Sequence, residues 1–87
     1  MTKEDQKRAV EQLEIIERVE NLPDGEAYQI LKNWNLETVR LGGMVMVTNK
    51  KTKIMRDANF EEQILHERKI KDIQKDVNNY WEHIESL

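Results

Sequence analysis

A chain of 87 residues with no cysteine, 36% charged and 38% hydrophobic, has room for one small core and no more. The missing thiols exclude disulfide stapling, thiolate catalysis and Cys-ligated zinc, and no apolar run approaches the roughly 18 residues of a membrane helix. The net charge of −3 conceals a division: residues 1–35 hold five Lys/Arg against eight Asp/Glu, residues 36–59 five against two, and residues 60–87 four against seven.

Thr2 is placed to cap a first helix, with Asp5 three residues on forming a weak capping box. Ala9, Val10, Leu13, Ile15, Ile16, Val19 and Leu22 then recur at helical spacing, so a helix is predicted over about 3–20. Its apolar face is broad, which suits contacts on two sides. Asn21-Leu22-Pro23-Asp24-Gly25 ends it, because proline cannot continue a helix and Asp-Gly favours a turn. Asp24 then serves as the expected N-cap of a short helix over about 25–34. Ala27, Ile30, Leu31 and Trp34 lie along one face of that helix.

The basic middle of the chain reads as strands. Thr38 and Val39 favour extended backbone over about 36–41, and Gly42-Gly43 is a two-residue hairpin signal. Met44 to Thr48, apolar on both faces, is the expected central strand. Asn49-Lys50-Lys51-Thr52 fits a type I turn before a third strand over about 52–56. A single hairpin of 44–48 with 52–56 is the alternative. Val45, Val47 and Ile54 are expected to face the core.

Asp57 or Asn59 caps the last element, a helix over about 60–85. Ile70, Ile73, Val77, Tyr80, Ile84 and Leu87 fall at spacings of three and four, a heptad seam. The seam needs a cover: the first helix, a second copy giving a homodimer through 70–87, or a partner. The fold class is therefore α+β in a single domain: two N-terminal helices, a small two- or three-stranded antiparallel sheet, and one long C-terminal helix.

Little in the chain suggests chemistry. Ser86 is the lone serine, no triad partner accompanies either histidine, and Gly42-Gly43 lacks the lysine and helix of a phosphate-binding loop. No enzyme activity and no cofactor are expected. Glu62 and His66 at i, i+4 could offer two metal ligands, but only Glu82 and His83 could complete the set, more than four turns away; no metal site is expected. Glu67, Arg68, Lys69, Lys71, Asp72, Lys75 and Asp76 read as a solvated face.

Binding is better supported. Trp34, Tyr80 and Trp81 are candidate anchors for a larger protein partner, since Trp and Tyr carry much of the energy of binding hot spots. Lys50, Lys51, Lys53 and Arg56 form a basic hairpin that offers electrostatic contacts or, alternatively, a nucleic-acid contact over residues 49–56. In size, charge and lack of cysteine the chain resembles the small accessory proteins of phages and mobile elements. That resemblance implies a regulator or inhibitor of a larger, nucleic-acid-handling host machine. The opening MTKEDQKRAVEQ has no secretory apolar run, so the expected location is the cytoplasm, with no membrane contact.

Overall fold

The computed structural model describes residues 2–85. Three helices and one sheet follow in the order α1 (Lys3–Glu20), α2 (Glu26–Asn33), β1 (Leu36–Leu41), β2 (Met44–Asn49), β3 (Met55–Asp57) and α3 (Phe60–Glu85). The α+β architecture is the one expected, and the three-stranded meander holds over the single hairpin. Leu87 and Ser86 lie outside the described residues.

Local signals account for most boundaries. The Thr2 hydroxyl accepts the Asp5 amide at 3.2 Å and starts α1. Asn59 and Glu62 form a capping box at the start of α3: the Asn59 Oδ1 accepts the Glu62 amide at 2.8 Å, and the Glu62 carboxylate accepts the Asn59 amide at 2.9 Å. Of the two candidate caps, it is Asn59 that acts. Asp24 does not cap α2. Gly25 stands at that position with φ 86°, and its amide is satisfied across the fold by Asp72 Oδ2 at 3.1 Å.

The sheet is antiparallel with β2 in the centre. Leu41 pairs with Met44, so Gly42-Gly43 is a two-residue turn. Gly42 takes φ 64° while Gly43 does not have positive φ, the pattern of a type II′ turn. β3 begins three residues later than expected, because the turn is longer than a simple four-residue one. The Asn49 side chain accepts the amides of Lys51 and Thr52 at 2.9 and 3.0 Å, and Lys53 takes φ 64° to close the loop. Ile54 is consequently carried outside the sheet and is 64% exposed, contrary to its expected place in the core.

Two small apolar clusters meet at Leu36. Val19, Ala27, Leu31 and Leu65 join α1, α2 and α3, and Val45, Val47 and Ala58 lie under the sheet. All of this packing uses the first half of α3. The helix is about 39 Å long at 1.5 Å per residue, and its second half continues past the body of the protein. The radius of gyration is therefore 15.8 Å, with a long axis of 58 Å, against about 12 Å for a compact chain of this length.

Candidate functional site

Polar side chains fill the proximal part of α3. Arg68, nearly buried, donates to the carbonyls of Val19, Glu20 and Leu22 at 2.9, 2.7 and 2.7 Å. The Glu20 and Leu22 carbonyls lie past the helix's own hydrogen bonds, while that of Val19 also accepts the Leu22 amide at 3.2 Å. Asp72 holds the same guanidinium at 2.9 Å, and Asp24 reaches it at 3.2 Å while also taking Lys75 at 2.8 Å. The Lys75 contact, with Arg68 adding to it, holds the Asp24 carboxyl below its ordinary range. Arg68 and Asp72 thus form a buried clasp joining α3 to the α1–α2 turn.

A second polar group sits where β1 crosses α3. Thr38 and His66 are both buried, and Thr38 Oγ1 lies 2.8 Å from His66 Nδ1. Lys69 donates to the Thr38 carbonyl at 3.2 Å and to its hydroxyl at 2.7 Å. An ammonium can only donate, so the Thr38 oxygen accepts from Lys69, while its bond to Nδ1 takes the direction that the ring's tautomer sets. Burial, then the positive charges of Lys69 and Arg40, push the His66 pKa down and outweigh Glu67. His66 is thus a core residue, and Arg68, Lys69 and Asp72 are not part of a solvated face.

Glu62 is equally committed. It is 3% exposed and takes both arms of the Arg56 guanidinium at 2.7 and 2.8 Å. That fork, with the Asn59 amide assisting, outweighs burial and holds the carboxyl below its usual range. No group of three or more His, Asp or Glu residues that could hold a metal ion occurs among the described residues.

The anticipated contact residues fall in three places. Tyr80 and Trp81 stand together far along α3, their rings edge to face at 6.1 Å, 63% and 56% exposed. Trp34 closes α2 and neighbours the basic turn, because the Lys50 amide donates to the Asn35 carbonyl at 2.8 Å. Lys50, Lys51 and Lys53 are exposed at that turn, while Arg56 is occupied by Glu62. Trp34 and Lys50 are therefore brought together, and Tyr80 and Trp81 form a separate group.

The heptad seam is left open. α1 packs against the start of α3, with Val19 beside Leu65 and Arg18 paired with Glu61 at 3.0 Å, and reaches none of the later seam positions. Ile73, Val77 and Ile84 are 48%, 47% and 38% exposed. The outer face of the sheet is also apolar: Val39, Leu41, Met44 and Met55 all meet solvent, and Val39 pairs with Met46 across the strands. The alternation of β1 and β2 carried that signal, since apolar residues occupy both faces.

No family model matches the chain, and no curated protein or solved structure is similar to it. Among the described residues no helix is long and apolar enough to cross a membrane.

Proposed function

We propose that this protein is a non-enzymatic regulator or inhibitor that binds a larger protein through the distal half of α3. One observation carries the reading: Val77, Tyr80, Trp81 and Ile84 expose their side chains along one side of a helix stretch that no other described element covers, and Ile73, beside Gly25 and Tyr28 but 48% exposed, begins the strip. Contiguous apolar surface of this kind is uncommon on a monomer and marks interaction sites. An amphipathic helix presenting anchors at i, i+4 and i+7 suits an apolar groove on the partner. The aromatic pair supplies the large, rigid contact area that binding hot spots favour.

The test is a photo-crosslinking residue at position 77, introduced in cells of the protein's own source, with capture and identification of what it joins. A single cross-linked partner, lost when Trp81→Ala and Ile84→Ser are combined, supports the reading. A cross-link only to a second copy, with light scattering giving a dimer, replaces it with a homodimer. Capture unchanged by the double substitution and by Lys50, Lys51 and Lys53→Ala shows that the contact lies elsewhere.

A further inference from the structure

Lys69 has an unusual position for a lysine. It is half-buried, yet its ammonium group has no carboxylate partner among the described residues; the ion pairs there engage Arg18, Arg40, Arg56, Arg68 and Lys75. Lysines removed from water are ordinarily paired. Two of its N–H groups are taken by Thr38, and one remains. Burial first, and then the positive charge of Lys50, lower the Lys69 pKa, with Glu37 acting the other way.

Lys69 lines a recess of about 130 Å³ that also takes in Tyr28, Lys32, Glu37, Thr38 and Lys50. Three ammonium groups against one carboxylate make its net charge +2, in a chain whose net charge is −3. The fold fixes the backbone that carries each group. Lys32 ends α2, Thr38 is locked to His66, and Lys50 is pinned through its amide to Asn35, itself held in a left-handed conformation with φ 58°. Cations gathered around one recess repel one another, and an anion bound there offsets the repulsion.

We propose that this recess binds one phosphate group, as inorganic phosphate or as a small phosphate monoester. A phosphate of this type carries roughly −1.5 to −2 near pH 7, matching the recess, whereas a carboxylate supplies half of that. Its oxygens accept from the third N–H of Lys69 and from the ammonium groups of Lys32 and Lys50. The site adjoins the distal helix without depending on it, so its failure and the failure of the protein-binding reading are separate results.

The experiment uses the full 15N-labelled chain at fixed ionic strength, titrated with inorganic phosphate and, separately, with glycerol phosphate. The expected result is a saturable movement of the Asn35, Thr38 and Lys50 amide signals with a Kd of about 1 mM or tighter. Tighter binding of glycerol phosphate identifies a monoester as the ligand, and equal or weaker binding identifies the free ion. Lys32→Met and Lys50→Met, both on exposed side chains, should each weaken binding about threefold, and Glu37→Gln should tighten it about threefold. That gain is an effect that a purely structural role does not produce. The proposal is overturned by equal shifts with acetate, by no saturation, by indifference to all three substitutions, or by binding of an oligonucleotide where phosphate itself has no effect.

Discussion

The two halves of α3 invert the usual rule about what lies inside a protein. In the first half Glu62, His66 and Asp72 are buried, while in the second Ile73, Val77, Tyr80 and Trp81 face solvent. The polar residues go in because each has a fixed partner: Arg56 for Glu62, Thr38 for His66, Arg68 and the Gly25 amide for Asp72. From Val77 onward the apolar residues stay out because no other described element extends that far, and Ile73, beside Gly25 and Tyr28, is only part covered. Side-chain polarity alone therefore does not decide burial; the supply of partners at that level of the helix does.

Breaking the clasp is the sharpest way to attack this contrast. Arg68→Leu leaves Asp72 buried without its cation and removes the guanidinium from three carbonyls at the α1 end, of which only that of Val19 keeps a backbone donor. Losing one member of a buried pair costs about 3–5 kcal/mol, so a urea titration should show most of the stability gone. A loss below about 1 kcal/mol would show that the clasp is incidental.

Acid should act on the first half of the helix in two stages. The folded-state pKa of His66 lies below the ordinary histidine value of 6.5, so as pH falls below that value the unfolded chain takes up a proton that the folded one resists. Stability should then decline by at most about 1.4 kcal/mol per pH unit, and His66→Gln should flatten that decline. Glu62 acts later. Its folded-state pKa lies below 4.5, so its contribution is intact above that value and disappears as pH drops through the lowered one. Denaturation midpoints measured from pH 8 to 3, in both chains, would separate the stages.

The smallest effect belongs to the second half. Val77→Ser with Ile84→Ser should change stability by no more than about 0.5 kcal/mol, the range of exposed positions, while raising solubility. If the same pair destabilises the monomer by 2 kcal/mol or more, of the order of a buried site, the distal helix is covered in solution.

Local signals made the fold legible. Thr2, the Pro23–Gly25 turn, Gly42-Gly43 and the Asn59/Glu62 box act within a few residues of chain, and the elements they delimit were readable from sequence. The seam was readable as well, though not whether anything covers it. What could not be read was the burial of His66, Arg68, Lys69 and Asp72. Arg68 meets its carbonyls across 46 to 49 residues, and Thr38 meets His66 across 28. Helical periodicity contains no information at such separations, so charged residues in alternation look solvated. Arg68 and Asp72 at i, i+4 gave a hint of an ion pair, but not of what else the guanidinium would hold. Arg56 illustrates the same point from the other side. It stood out as a basic contact, and its guanidinium, half exposed, also neutralises a buried acid.

The Arg68 fork also bears on how the chain matures during synthesis. The helix that it terminates is made first, and the side chain that seals its last turn arrives some 46 residues after Leu22. Until then the carbonyls of Glu20 and Leu22 lack this donor, and that of Val19 keeps only the Asn21 and Leu22 amides. The nascent N-terminal helix should therefore remain frayed at its C-terminal end on the ribosome, acquiring protection from amide exchange there only when residue 68 has emerged.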